Sequence, residues 1–135
     1  MRDKQRVLRP LAAVLKDHGE LLFTDFVLAA PERDSPRIEA WITADPHVPL
    51  PWSAAHYIAA LTGLGLHVRV DDVTERVAAV IRRRWAGYLA AVKQTGLDPK
   101  YATVLASEAA LWTRRAGLLE SGELNICRFH VARQL

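Results

Sequence analysis

Hydrophobic residues recur along the chain at two spacings, one typical of helices and the other typical of strands. The first group recurs three or four residues apart and predicts a helix with one apolar face, and its members are Val7, Leu8, Leu11, Val14 and Leu15. Pro10 lies inside this pattern, so a helix either begins there or bends there. Gly19 ends the helix, because glycine readily adopts the left-handed conformation that often follows a helical terminus.

Three stretches have the pattern of strands. Residues 20–30 form a near-continuous apolar run interrupted by Thr24 and Asp25, which is typical of a strand buried on both faces. Residues 66–73 and 123–132 alternate apolar and polar positions, as a strand with two unlike faces does.

Three more helices are predicted. Ser53 is a suitable cap for the first of them, and Asp98 is a suitable cap for the last. Between these two, Asp72 and Glu75 have the spacing of a capping box at the start of a long helix. With the first helix, about four helices are expected.

Residues 31–52 have neither spacing and contain five prolines. Each proline removes a backbone donor, so the sequence predicts a long irregular loop here. Long ordered loops in compact domains are often lids or binding loops, and we interpret 31–52 as a Pro-rich, lid-like loop. The predicted order is helix, strand, loop, helix, strand, helix, helix, strand, which indicates a single α/β domain spanning residues 1–135.

Composition narrows the classes of function. Half of the 135 residues are hydrophobic and the net charge is +3, so no nucleic-acid partner is indicated. No apolar run is long enough for a membrane span, so no membrane partner is expected. Cys127 is the only cysteine, which rules out an internal disulfide and suits a reducing, cytoplasmic setting. The five histidines form no recognised metal spacing, so no metal site is expected.

Three segments resemble class I S-adenosylmethionine-dependent methyltransferases in order and spacing. They are VLKDHGELLFTD at 14–25, YIAALTGLGLHVRVDDVT at 57–74 and GLLESGELNICRFHVAR at 117–133. The first departs from the family at Asp17 and His18, where Pro-Gly is usual, and in the second Leu66 replaces a usual Phe. The phrase LLFTDFVLA is similar to small-molecule methyltransferases, including those that act on glycine, sarcosine and dimethylglycine.

This resemblance implies the C-terminal half of a Rossmann-like fold whose seven strands have the order 3-2-1-4-5-7-6. The chain then supplies the fifth, sixth and seventh strands as a three-stranded mixed sheet, with 123–132 in the centre and antiparallel to both neighbours. The family binds S-adenosylmethionine through a Gly-rich turn after its first strand and a carboxylate after its second. The only Gly-x-Gly here, Gly63-Leu64-Gly65, precedes a strand, so no cofactor-binding residue is expected in this chain alone.

Four residues are candidates for substrate binding. Asp25 is expected at the carboxyl end of a parallel strand, where ligands bind in open α/β sheets. Trp41, His47 and Trp52 belong to the region that, by the resemblance, covers the substrate pocket. Aromatic faces there could hold a cationic amine by cation–π attraction, or they could anchor the loop on the core. For Trp85, on a helical stripe, packing in the core is the ordinary interpretation, and Trp112 is interpreted in the same way.

The sequence therefore predicts the substrate-side portion of a small-molecule methyltransferase that is inactive without its cofactor-binding half. The catalytic residues stay unknown. The alternative is a non-catalytic, self-standing dimerisation or binding module. In either case strand 20–30 has an unpaired apolar edge, so the expected partner is the missing N-terminal half or a second copy paired through that strand.

Overall fold

The computed structural model describes residues 3–30, 35–45 and 51–133. Five helices and three strands follow one another as α1 (Gln5–Val14), β1 (Glu20–Leu28), α2 (Pro36–Ala44), α3 (Ala54–Thr62), β2 (His67–Asp72), α4 (Thr74–Thr95), α5 (Pro99–Ser121) and β3 (Leu124–Ala132). Within these ranges no helix is both long and apolar enough to cross a bilayer.

The sheet has the order β1-β3-β2, and β3 runs antiparallel to both neighbours. Glu20 pairs with Ala132 at one end of β1, and Leu28 pairs with Leu124 at the other. On the far side of β3, His67 also pairs with Ala132. β1 and β2 therefore point the same way without touching, and the α/β fold with a central, antiparallel last strand is confirmed.

Side chains on the two faces of this sheet pack into two separate cores. On one face α1 and α3 cover a cluster that includes Val27, Tyr57 and Phe129. On the other face α2, α5 and the beginning of α4 cover a cluster that includes Trp41 and Leu124. Because alternate strand residues point to opposite faces, one short sheet supports both cores.

Local sequence explains the ends of several helices. Ser53 caps α3 by accepting a hydrogen bond from the His56 N–H (3.1 Å), and Asp98 caps α5 through the Lys100 N–H (3.1 Å). The predicted capping box at α4 is wrong. Val73 is the cap residue there, and Asp72 instead accepts from the N–H of Thr74 (2.9 Å).

The structure decides two open points about α1, namely whether it continues through Pro10 and how it ends. Pro10 lies inside α1, so the helix runs through the proline and loses one backbone hydrogen bond there. The predicted left-handed conformation of Gly19 is wrong, because His18 has the positive φ (59°) in the turn after α1. The turn still requires Gly19, since a Cβ at that position would lie 2.7 Å from the Lys16 carbonyl oxygen.

The prediction that 31–52 is irregular throughout is wrong, because α2 occupies residues 36–44 of it. Ser35 caps this helix by accepting from the Ile38 N–H (3.4 Å), and Pro36 occupies its first turn. At a helical N-terminus a proline costs no hydrogen bond, since that N–H has no intrahelical partner. Residues 31–34 and 46–50 lie outside the described ranges.

The helices α4 and α5 form a long hairpin between β2 and β3. Only the beginning of α4 and the end of α5 contribute to the core, through residues such as Val77, Ile81 and Leu118. Trp85 and Trp112 are only partly buried and line a groove between the two helices. Their predicted place in the core is therefore wrong.

Candidate functional site

Asp25 lies within β1, and three more strand residues follow it, so the expectation that it ends the strand is wrong. Its carboxylate contacts two side chains from outside β1, one at the start of α1 and one in α3. The Lys4 ammonium donates to Oδ2 (2.6 Å), and the Tyr57 hydroxyl donates to the same oxygen (2.5 Å). The second oxygen, Oδ1, accepts from the N–H of Phe26 (2.8 Å).

This Lys4–Asp25–Tyr57 cluster ties α1, β1 and α3 together. Lys4 is 8% exposed and Tyr57 is 4% exposed, and the Lys4 ammonium also lies 4.9 Å from the centre of the Tyr57 ring. A buried ammonium requires an anionic partner, because an unpaired charge in the interior is very costly. The carboxylate in an otherwise apolar strand thus has a structural reason as well as a chemical one.

Burial raises the pKa of the Tyr57 phenol, and the hydrogen bond to Asp25 and the charge of that carboxylate raise it further. Tyr57 therefore stays protonated at neutral pH and acts as a hydrogen-bond donor. A phenol held in this way cannot serve as a general base near pH 7. The phenol proton is already donated to Asp25, so Tyr57 holds that carboxylate in place and does not generate a nucleophile.

Trp52 lies beside this cluster and closes the end of β1. Its carbonyl oxygen accepts from the Leu28 N–H (3.0 Å), and its ring packs edge-on against Tyr57 with centroids 5.0 Å apart. The opposite side of the indole stacks on the exposed His56 ring at 3.9 Å. The structure thus brings Asp25 and Trp52 together around Tyr57.

Trp41 lies on the opposite face of the sheet, in the core beneath α2. It is 2% exposed and meets the Phe26 ring edge-on, with centroids 6.1 Å apart. Its burial is that expected of a residue that anchors the segment on the core. Trp41 and Trp52 therefore do not form one aromatic cage, and His47 lies outside the described residues.

An ion pair fastens α2 to α5. The Arg115 guanidinium donates two hydrogen bonds to Oδ2 of Asp45, from Nε (3.0 Å) and Nη2 (2.5 Å). The guanidinium also lies 4.7 Å from the centre of the Trp112 ring. A second tie is the hydrogen bond from Arg114 to the Ala40 carbonyl (3.0 Å). Within the segment predicted to be a lid, α2 is thus held on α5 by an ion pair and a hydrogen bond.

Sequence reasoning missed Lys4, Tyr57, Asp45 and Arg115. A charge inside an apolar strand was the available signal for a buried partner of Asp25, but nothing in the local sequence identifies a lysine 21 residues away. Asp45 stood in a proline-rich stretch, where an exposed turn residue was the ordinary interpretation. Its partner is 70 residues distant.

The described residues do not form a nucleoside-binding turn of the kind expected for S-adenosylmethionine. Gly63 and Gly65 follow α3 and lead into β2, whereas the motif requires a strand before the glycines and a helix after them. Gly65 has a positive φ of 79°, so the backbone conformation of this turn accounts for the glycine. In the described ranges no group of three or more His, Cys, Asp or Glu residues could hold a metal ion.

Solved structures of methyltransferases match this chain over almost its whole length. They include phosphoethanolamine N-methyltransferase 2 of Haemonchus contortus, bound to S-adenosyl-L-methionine (TM-score 0.69, 14% identity, 100% of this chain and 31% of that one). Another is a putative sarcosine dimethylglycine methyltransferase from Galdieria sulphuraria (0.73, 17%, 99% and 49%). This chain has part of the class I methyltransferase fold.

A third solved structure also matches this chain. It is a mycolic acid cyclopropane synthase in complex with SAH and CTAB (TM-score 0.75, 18% identity, 95% of this chain and 49% of that one). The chain spans about a third to a half of the length of these structures. No protein-family model and no curated protein sequence matches it.

Proposed function

We propose that this chain is the substrate-side portion of an S-adenosylmethionine-dependent methyltransferase that acts on a small molecule. The observation that carries the proposal is the sheet order β1-β3-β2 with an antiparallel centre, which corresponds to the fifth, seventh and sixth strands of the complete fold. The solved structures that match are bound to S-adenosyl-L-methionine in one case and to SAH in another. Cofactor binding is assigned to a first half, joined to this one or supplied by another chain.

The free edge of β1 is the place where that half attaches. The Leu28 N–H points away from β3 to the Trp52 carbonyl, and alternation along the strand directs the N–H groups of Leu22 and Thr24 to the same side. Phe26 already donates to Asp25. The edge open to a partner strand is therefore its first part, residues 20–25, and a fourth strand of the complete fold pairs there.

The described parts of the segment between β1 and α3, residues 35–45 and 51–53, form the wall of the substrate site. They follow the carboxyl end of β1, where ligands bind in open α/β sheets, and they contain Trp41 and Trp52; His47 stays a sequence-based candidate outside the described residues. The buried tryptophans and the Asp45–Arg115 ion pair hold this wall in one position. Methyl transfer depends mainly on positioning and on the exclusion of water, which a fixed wall provides.

The direct test is the reading frame upstream of the codon for Met1. The proposal expects it, or a neighbouring frame, to encode a strand followed by a Gly-rich turn and, after a second strand, an acidic residue. The complete product should then bind S-adenosylmethionine at micromolar concentration with one-to-one stoichiometry. A frame without these features, together with a complete product that does not bind the cofactor, would refute the proposal.

A further inference from the structure

No described residue outside the hairpin of α4 and α5 packs against most of its length. Not one of the 22 residues of α4 is buried, and no residue between 82 and 111 belongs to either core cluster. A helix of this size in a folded protein is usually stabilised by packing of its apolar face. An α-helix rises about 1.5 Å per residue, so Trp85 lies roughly 16 Å from the first residue of α4 along the helix axis.

The unpartnered surface is an apolar groove between the two helices, about 660 Å³ in volume. From α4 it receives Trp85 and Tyr88, and from α5 it receives Tyr101, Val104 and Trp112. Three of these remain widely exposed, with Tyr88 at 49%, Tyr101 at 51% and Val104 at 61%. Tyrosine and tryptophan are the residues most often enriched at the centres of protein interfaces.

The charges of the groove match a second copy of the same groove. Arg84 and Glu108 are the charged residues that line it, and neither forms an ion pair with a described residue. In an interface built on a twofold axis every contact occurs twice. If one residue of the first copy touches a second residue of its partner, the same two residues also touch with the copies exchanged. Arg84 and Glu108 lie at similar distances along their helices from Leu97, which connects the helices. With the twofold axis running along the hairpin, α4 of each copy lies over α5 of its partner, and Arg84 of one copy can pair with Glu108 of the other at two equivalent places.

We propose that two copies of this chain associate through their α4–α5 hairpins and form an antiparallel four-helix bundle. The two grooves close on each other, as helices of such bundles pack their apolar stripes together. This interface lies on the hairpin, which connects β2 to β3, whereas the cofactor-binding half is assigned to the free edge of β1. The proposal is therefore independent of the proposed function, and the failure of one leaves the other standing.

Sedimentation equilibrium of the purified chain tests it, with variants that leave the monomer fold intact. At about 100 µM the wild type should be mainly dimeric. Val104→Glu should raise the dimer dissociation constant more than tenfold, since it buries a carboxylate in the apolar contact. Leu22→Glu changes another exposed apolar residue, 63% accessible on the sheet, and should leave the dissociation constant unchanged.

A charge exchange supplies the second, sharper test. Arg84→Glu alone and Glu108→Arg alone each place like charges opposite one another and should each weaken the dimer about fivefold to tenfold. The double variant Arg84→Glu/Glu108→Arg should restore the wild-type dissociation constant to within about twofold. Circular dichroism confirms that each variant keeps its helices.

Two results would overturn the proposal. One is a wild type that stays monomeric at about 100 µM. The other is a dimer insensitive to Val104→Glu but abolished by Thr24→Pro, because a proline at that outward N–H blocks pairing along the β1 edge without removing a bond to β3. The second result would instead assign the dimer to two paired β1 strands.

Discussion

Just over half of the residues are hydrophobic both in the three strands and in the α4–α5 hairpin, yet these residues are packed differently in the two regions. In the sheet, Val131 and Phe129 are fully buried, and the charged residue Asp25 is paired with Lys4, which packs against it from the start of α1. In the hairpin, the predicted apolar stripe of α4 meets only part of α5 and otherwise lines an open groove. Both faces of the sheet are thus packed by described residues of this chain, although the edge of β1 stays open, whereas the hairpin exposes an apolar groove that no described residue covers.

Removing an aromatic ring should change the free energy of unfolding much more in the sheet than in the hairpin, and this is the largest difference that we expect. Phe129→Ala should lower the free energy of unfolding by about 3–5 kcal/mol, since Phe129 is completely buried between Phe23 and Tyr57. Tyr101→Ala in the groove should change it by less than about 0.5 kcal/mol at concentrations where the chain is monomeric. Urea denaturation measures both. Equal decreases in the free energy of unfolding for the two variants would mean that the groove is as well packed as the core.

The ion pair that joins α2 to the hairpin should give the next largest effect. Asp45→Asn leaves Arg115 without a buried anion and should lower the free energy of unfolding by roughly 3 kcal/mol. Arg82→Ala, which removes the exposed pair with Glu120 (3.8 Å), should change it by less than about 0.5 kcal/mol.

Hydrogen exchange of the amides in α2 gives the local readout of this pair. Those amides should exchange slowly in the wild type and in Arg82→Ala, and much faster in Asp45→Asn. Fast exchange in all three proteins would show that α2 moves independently of the hairpin.

A pH dependence should distinguish the polar cluster of the sheet from the exposed tyrosines of the hairpin. The pKa of Tyr57 is raised in the folded chain, so unfolding releases its proton above the ordinary tyrosine pKa of about 10. The stability contributed by Tyr57 is therefore complete below about pH 10 and decreases as the pH rises further, by up to about 1.4 kcal/mol per pH unit.

Tyr57→Phe should remove that part of the slope, and Tyr88→Phe should not. Urea denaturation at several pH values between neutrality and pH 11 supplies the comparison. Parallel curves for the wild type and Tyr57→Phe would contradict the burial of a neutral phenol beside Asp25.

The smallest expected effect is a gain within the hairpin. Gly87 lies in the exposed middle of α4, and nothing lies within 4 Å of a Cβ built there. Gly87→Ala should therefore raise helical content and stabilise α4 by about 0.5–1 kcal/mol. Circular dichroism and amide exchange between residues 82 and 95 check this. A loss of helix would mean that the glycine is in close contact with an unrecognised neighbour.

Sequence patterns predicted the helices and strands correctly wherever apolar residues recur at a regular spacing. The apolar run of β1, the alternation of β2 and β3 and the stripes of the long helices all correspond to observed elements. The pattern failed for α2, because proline was interpreted as a breaker although Pro36 stands where a helix accepts it. Capping by Ser35 was the signal available for a correct prediction.

Predictions of contacts were poorer than predictions of elements, for a physical reason. The partners of Asp25 and Asp45 come from residues far away in sequence, and local spacing contains no information on such pairs. The apolar stripes of α4 and α5 indicated that both helices pack against other elements, but not that residues 82–111 lie outside both described core clusters. The roles of Asp25, Trp41, His47 and Trp52 in substrate binding stay predictions.

Calorimetric titration of the purified chain with S-adenosylmethionine tests the central claim most directly. The account assigns cofactor binding to a first half that carries a Gly-rich turn and a ribose-binding carboxylate. It therefore predicts no one-to-one binding to this chain at micromolar concentrations, in the monomer or in the hairpin dimer. A micromolar dissociation constant with one cofactor per chain would contradict the account and show that these residues form a cofactor site by themselves.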